Sequence, residues 1–217
     1  MTAVFRHYET SYRRLDKDID PQKVYAAFLS IGYENMTLQQ MAERIWMPVD
    51  QLWARYPSKY DLWYTALCQA SEDLSDAISG KLTATDPLER LRQACYATVD
   101  YGLRHPNTCR FVVMPRSKDM GTPESPAPGV IAFTVLFRHL IKQCIKAGIF
   151  AEHSPELVTQ ALISVLNSVT ELQHNIQRIT WSGELTSHII ETYLAGLHFD
   201  NPGRKMTIIH KPNGPSW

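Results

Sequence analysis

Cysteine and histidine side chains serve as nucleophiles or metal ligands in many proteins, and this chain contains both. Its four cysteines are dispersed, with no Cys-x-x-Cys pair and no histidine at zinc-finger spacing: Cys68, Cys95, Cys109 and Cys144. His139 and Cys144 are five residues apart, a spacing that does not bring two side chains together on one helix. The sequence also contains no nucleophile elbow and no phosphate-binding loop. We therefore expect free buried thiols, and neither catalysis, a metal nor a cofactor.

The composition is that of an ordinary globular protein. Of the 217 residues, 44% are hydrophobic and 20% are charged. The 22 basic residues balance the 22 acidic ones, so net charge gives no overall attraction to nucleic acid or to an anionic membrane. The longest apolar stretch, 129–137, is shorter than the roughly 18 residues that a membrane span needs. Residues 1–20 lack the apolar core of a secretory signal, which favours a cytoplasmic protein.

Capping residues predict three short helices near the N-terminus. Asp20 followed by Pro21 is a typical start of a first helix, which ends at Gly32. Thr37 opens a second helix as part of a capping box, and a third short helix is expected over 49–55. Three short helices within about 45 residues, with a tight turn between the second and third, are typical of a helix-turn-helix. In that motif the third helix enters the major groove of DNA.

Apolar spacings of three and four recur through the rest of the sequence and predict an all-α fold. The further helices are expected at 59–80, 87–105, 108–114, 130–146, 155–179 and 184–198. Prolines and glycines at 115–129 predict a loop. We expect four regions: a flexible N-terminal arm (1–19), the helix-turn-helix domain (20–64), a larger helical domain (65–200) and a C-terminal tail (201–217).

An ordered set of residues within 20–64 resembles the N-terminal signature of the TetR (tetracycline repressor) family of transcriptional regulators. The set is Gly32-Tyr33, Met36-Thr37, Met41-Ala42-Glu43, Leu52-Trp53 and Tyr56-Pro57-Ser58-Lys59 with Leu62. The resemblance implies that the larger helical domain binds a ligand and dimerises. It also implies a one-component regulator, with repression the expected output, that binds operator DNA as a dimer and is released or modulated by a small molecule.

The same resemblance implies which residues contact DNA. Thr37 would cap the second helix and touch a phosphate, and Lys59 would contact another phosphate from the N-terminus of the fourth helix. Gln51 and its neighbours would face the groove. The full set implied for double-stranded DNA is Thr37, Val49, Asp50, Gln51, Trp53, Arg55, Tyr56 and Lys59.

Three departures from the family pattern lie close together. Trp46 stands where the family usually has Gly at a positive φ, so either this residue is strained by roughly 1–2 kcal/mol or the turn differs. Pro48 replaces a capping Ser or Thr, and Asp50 puts a negative charge on the third helix. Residues 20–64 carry four basic and five acidic side chains, a net charge of −1. The alternative is therefore a TetR-like protein with a degenerate DNA-binding head, acting as a protein-interaction or ligand-sensing module.

The resemblance further implies a pocket for an effector and a homodimer. Aromatic and polar candidates for the pocket are Trp63, Tyr96, Tyr101, Phe111, Phe133, Phe137, His139 and His174, each of which could equally be ordinary core. The dimer would form through the helices at about 155–179 and 184–198. Ala161, Ser164 and Ser168 are small enough for close packing there, whether between two copies or within one chain.

Overall fold

The computed structural model describes residues 14–113, 128–175 and 183–198. They form α1 (Pro21–Ile31), α2 (Leu38–Ile45), α3 (Val49–Arg55), α4 (Lys59–Ser79), α5 (Pro87–Arg104), α6 (Pro106–Val113), α7 (Pro128–Lys146), α8 (Pro155–Asn175) and α9 (Gly183–Ala195). The all-α prediction is confirmed. The β pairing within this part is one isolated bridge between Phe150 and His198.

The first helices begin where the capping residues predict. The Asp20 side chain accepts a hydrogen bond from the Gln22 amide at the start of α1 (2.9 Å). The capping box of α2 is complete: Gln40 N donates to Thr37 Oγ1 (3.1 Å), and Thr37 N donates to Gln40 Oε1 (3.0 Å). α1 ends at Gly32, whose φ of 83° is readily adopted only without a Cβ. Local hydrogen bonding therefore fixes the register of α1 and α2.

We call residues 14–70 the head and residues 71–198 the body. The core of the head is formed by buried side chains of α1, α2, α3 and the first half of α4. The structure differs from the predicted flexible arm at residues 14–19, because Leu15 and Ile19 are buried in this core. The amide of Leu15 also donates to Gln69 Oε1 on α4 (3.0 Å). Residues 14–19 are therefore a packed part of the head, whereas 1–13 lie outside the described residues.

The body has a second core, formed by the second half of α4 with α5, α7, α8 and α9. α5 and α8 approach closely at Gly102, where an added Cβ would lie 2.5 Å from Thr170 Cγ2. Burial raises the pKa of the Cys68 and Cys144 thiols to about 11, so both are protonated at neutral pH. No helix in the described ranges combines the length and apolar character needed to cross a membrane.

α6 joins the head to the body. Its Phe111 is fully buried in the core of the head, where its ring stacks on Tyr25 (centroids 4.9 Å apart) and Phe28 (5.8 Å). The Arg110 guanidinium on the same helix forms two hydrogen bonds with the Glu171 carboxylate on α8 (2.7 and 3.0 Å). Neighbouring residues of α6 thus contact opposite parts of the molecule.

Candidate nucleic-acid interface

The turn between α2 and α3 contains Trp46, the one residue other than glycine with a positive φ among those described. Its φ of 62° and ψ of 42° place it in the left-handed region, and its amide donates to carbonyl oxygens of α2. The strain predicted for this position is therefore present, at roughly 1–2 kcal/mol. The Trp46 side chain is 84% exposed, so burial of the ring does not offset the cost.

α3 is held in the head by Leu52, which is fully buried. Pro48 precedes the helix and supplies no side-chain hydrogen bond to it, as the absence of a hydroxyl predicts. Asp50, Gln51 and Trp53 are exposed, Trp53 by 51%, and Val49 is half-buried. The outer face of α3 therefore presents a carboxylate, an amide and an indole to solvent.

Arg55, at the end of α3, is held by acidic residues that precede α1. Its Nη1 lies 2.6 and 2.7 Å from the two carboxylate oxygens of Asp18 and 3.6 Å from Asp16 Oδ2. The hydrogen bond from Arg55 lowers the pKa of the Asp18 carboxyl, so this pair is fully ionised at neutral pH. The predicted DNA contact is thus already neutralised within the head.

Lys59 is also engaged within the chain. Its Nζ donates to the carbonyl oxygens of Tyr33 (2.7 Å) and Glu34 (3.1 Å), and it lies 4.4 Å from the centroid of the Tyr33 ring. These contacts tie the connection between α1 and α2 to the start of α4. A phosphate contact by Lys59 would have to compete with both carbonyls.

Two other predicted DNA contacts differ in exposure. Thr37 is exposed, and its hydroxyl caps α2, as the resemblance implies. Tyr56, in contrast, is fully buried, and its hydroxyl accepts a hydrogen bond from the Asp16 amide (3.1 Å). Tyr56 therefore requires a correction: its side chain supports the head from within and is not placed to reach DNA.

The residues predicted to line a ligand pocket do not come together. Trp63 and Phe111 are buried in the core of the head, whereas Tyr101, Phe133 and Phe137 belong to the core of the body. The Tyr96 hydroxyl donates to Glu191 Oε1 at the edge of the body (3.2 Å).

Of the two predicted histidines, the structure describes the side chain of one. His139 is exposed, with its ring Nε2 3.0 Å from Gln143 Nε2, and belongs to neither core. The side chain of His174 lies outside the described residues. A surface depression of about 450 Å³ lies elsewhere and contains none of the predicted residues; it is lined by Lys142, Ile145, Lys146, Glu152, His153 and Pro155.

Comparison with known proteins identifies the fold. No protein-family model matches the chain, and no curated protein matches it. Solved structures do match, among them the TetR-family regulator PfmR of Thermus thermophilus, at 19% identity and a TM-score of 0.63, covering 84% of this chain and 100% of that one. A TetR-family regulator of Marinobacter aquaeolei matches at 15% identity and a TM-score of 0.70, covering 82% and 93%. The chain has the TetR fold.

A third match was solved with ligands bound. It is AibR in complex with isovaleryl coenzyme A and operator DNA, at 12% identity and a TM-score of 0.64, covering 82% of this chain and 95% of that one. At such identities the matches concern the TetR fold and carry no residue roles across to this chain.

Within this TetR fold, sequence reasoning missed Asp16 and Asp18, which neutralise Arg55. Their acidic character is visible in the sequence, but Asp18 and Arg55 are 37 positions apart and lie in different elements. The net charge of −1 counted over 20–64 gave no signal for them, because both residues precede position 20. Trp46, by contrast, was found by its departure from glycine at the turn.

Proposed function

We propose that the protein is a one-component transcriptional regulator, a repressor in its simplest form, that binds operator DNA and responds to a small-molecule effector. The observation that carries the proposal is the outer face of α3. Asp50, Gln51 and Trp53 are exposed on a helix that buried Leu52 holds in a helix-turn-helix. An amide such as that of Gln51 can read adenine by two hydrogen bonds in the major groove.

The TetR fold supports the same proposal, because the AibR complex contains both operator DNA and isovaleryl coenzyme A. The predicted pocket residues are divided between two cores and the surface, so they give no common chemistry to a ligand.

The test is binding of the purified protein to a labelled duplex from the region upstream of its own gene, at low and moderate salt. We expect selective binding that weakens as salt rises, because phosphate contacts release counterions. Gln51→Ala should reduce the preference for this duplex over an unrelated one. Gln143→Ala, on α7 in the body, is the matched control and should leave the preference unchanged. Binding without selectivity and without a salt dependence would contradict the proposal.

A second candidate function is a protein-interaction module built on the same fold. It is favoured by the exposed indoles of Trp46 and Trp53 and by the intrachain contacts of Arg55 and Lys59. Exposed tryptophan is costly in water and frequent at the centre of protein interfaces. The DNA experiment separates the candidates, since this module would show no selective binding to any duplex.

Homodimerisation is part of the proposal and is supported by one face of α8. At 100° per residue, Leu157, Ala161, Ser164, Ser168 and Leu172 fall within an arc of about 80°. All five are exposed, so two leucines flank three small residues on a face that the described residues leave uncovered. Small residues allow two helices to approach closely, which is what a four-helix bundle between two copies requires.

Sedimentation equilibrium tests this interface with a closely matched pair of variants. Leu172 and Leu103 are both 38% exposed, but Leu103 lies on α5 and is not one of the five residues of the α8 face. We expect Leu172→Lys to shift the protein from dimer to monomer, because it replaces one of the two leucines of the α8 face with a charge. Leu103→Lys should remain dimeric. A wild-type monomer at micromolar concentration, or equal effects of the two variants, would argue against the α8 interface.

A further inference from the structure

The segment before α1, residues 14–19, is held in place by contacts with α4 and with Tyr56. The Arg14 guanidinium lies 3.0 Å from Asp73 Oδ1 and 3.4 Å from Glu72 Oε2, both on α4. Further along, the Asp16 amide donates to the hydroxyl of buried Tyr56. These contacts hold the Asp16 and Asp18 carboxylates beside the C-terminal end of α3.

Arg55 is the only basic residue of α3 and therefore the only cation that this helix can offer to DNA. Both oxygens of Asp18 lie within hydrogen-bond distance of its Nη1, and an oxygen of Asp16 is close by. The side chains of Arg55 and Asp18 nevertheless remain 30% and 56% exposed. A phosphate oxygen could therefore reach the guanidinium if the carboxylate moved aside.

We propose that Asp16 and Asp18 form an acidic clasp that competes with DNA phosphates for Arg55 and thereby sets the affinity of the head for DNA. The inference rests on the proposed function, because it assumes that α3 approaches a duplex. Carboxylates and phosphates both accept charge-assisted hydrogen bonds from guanidinium, so the two contacts exclude each other. DNA binding must then either open the clasp or forgo one phosphate contact.

The position of the clasp links it to the rest of the molecule. α4 provides the partners of Arg14 and Leu15, and the same helix contributes buried side chains to both cores. A shift of α4 relative to α3 would change how the clasp residues sit against Arg55. The clasp is thus placed where a movement of the body could alter the charge that α3 presents to DNA.

Asp18→Asn tests the clasp, because it removes the charge while keeping the shape of the side chain. We expect about two- to fivefold tighter binding to a labelled duplex from the protein's own upstream region. An unrelated duplex of equal length should gain by the same factor, since a phosphate contact carries no sequence information. The slope of log affinity against log salt should steepen by about 0.9, the value for one additional phosphate contact.

Two controls separate the clasp from a general change in charge. Asp100→Asn makes the same change on α5, where the carboxylate pairs with Arg104 within its own helix, and we expect no gain in affinity. In an Arg55→Gln background, Asp18→Asn should also have no effect, because the competing group is gone. Circular dichroism and thermal unfolding establish that each variant is folded. The double variant Asp16→Asn/Asp18→Asn repeats the test with both carboxylates of the clasp removed.

Each result of these DNA-binding measurements either supports or overturns the clasp. Gain of DNA binding by Asp18→Asn, including a gain from undetectable wild-type binding, supports the clasp. Unchanged or weaker binding by Asp18→Asn alongside selective wild-type binding overturns the clasp and leaves the proposed function in place. A gain that persists in the Arg55→Gln background, or that Asp100→Asn reproduces, also overturns it. Absence of binding by every variant overturns the clasp and the proposed function together.

Discussion

The head is built around a group of aromatic rings, whereas the core of the body consists mainly of aliphatic side chains from long helices. Tyr25, Phe28 and Trp63 surround Phe111 in the head, with ring centroids 4.9 to 6.5 Å from it. The body places leucines, isoleucines and valines of α5, α7, α8 and α9 against one another. The Phe111 ring lies in the core of the head but belongs to α6, which is part of the body.

This difference indicates how each region responds to change. The head is small, and its core is completed by a side chain from the body, so we expect the head to depend on α6 for its stability. The body has its own core and closely packed helices, so it should be sensitive to the volume of side chains at helix contacts. The variants below test this contrast.

Phe111→Ala should have the largest effect. The ring is fully buried, and its loss should reduce the free energy of unfolding by about 3–5 kcal/mol, as measured by urea denaturation. Amide hydrogen exchange in α1 should accelerate, because Tyr25 and Phe28 lose their stacking partner. The variant thus asks whether a residue of the body holds the head together.

Phe137→Ala is the matched control for this prediction. Phe137 is equally buried but lies in the core of the body, where its ring centroid is 5.0 Å from that of Phe133. We expect a comparable loss of stability without a selective acceleration of exchange in α1. Equal acceleration in the two variants would mean that head and body do not differ in their dependence on α6.

Gly102→Ala probes the close packing of the body. The added Cβ would lie 2.5 Å from Thr170 Cγ2 and 3.0 Å from Thr170 Oγ1, so α5 and α8 must separate or distort. We expect a loss of about 1–3 kcal/mol by urea denaturation. Adding Thr170→Ala should recover part of it by removing both atoms. A Gly102→Ala variant more stable than wild type, by the roughly 0.5–1 kcal/mol usual for this change in a helix, would exclude the clash.

Thr37→Ala addresses the local hydrogen bonds of the head. It removes the hydroxyl that accepts from Gln40 N and should cost about 1 kcal/mol. Trp46→Gly should act in the opposite direction, with a gain of up to about 1 kcal/mol, because glycine adopts a positive φ without strain. Trp46→Ala removes the same ring but keeps a Cβ, so it should give no such gain. Thermal unfolding of the three variants tests whether Thr37→Ala lowers the stability and Trp46→Gly raises it.

The elements of this fold could be predicted because their signals are local. Caps at Asp20, Thr37 and Ser58 act within three residues of each helix start, and the structure places the helices accordingly. The positive φ at Trp46 could also be predicted, since the turn geometry fixes the conformation whatever side chain occupies it. These features need no knowledge of the rest of the chain.

The contacts that decide the candidate site could not be predicted in the same way. Apolar periodicity shows which face of a helix is buried but not which element covers it. Lys59 contacts Tyr33, which is 26 positions away, and Phe111 reaches the core of the head from α6. A basic residue on an amphipathic helix looks the same in the sequence whether it faces a phosphate or a carboxylate of its own chain.

The smallest effect is expected from an ion pair at the edge of the body. The Arg92 guanidinium on α5 donates to both oxygens of Glu191 on α9 (2.8 and 3.0 Å), and this hydrogen bonding lowers the pKa of the Glu191 carboxyl below its usual 4.5. A carboxyl with a lowered pKa binds fewer protons in the folded state than in the unfolded chain. Its stabilisation is therefore complete above pH 4.5 and is lost as the pH falls through the lowered value.

Glu191→Gln should consequently cost no more than about 1 kcal/mol at neutral pH, because both side chains are partly exposed and solvent screens the pair. The difference in stability from wild type should shrink as the pH is lowered through the region below 4.5, measured by urea denaturation at each pH. Glu152→Gln, at an exposed position between α7 and α8, is the control for removal of one carboxylate and should cost less stability at neutral pH. A cost for Glu191→Gln that stays constant with pH would mean that the charge of Glu191 does not account for the stability of this contact between α5 and α9.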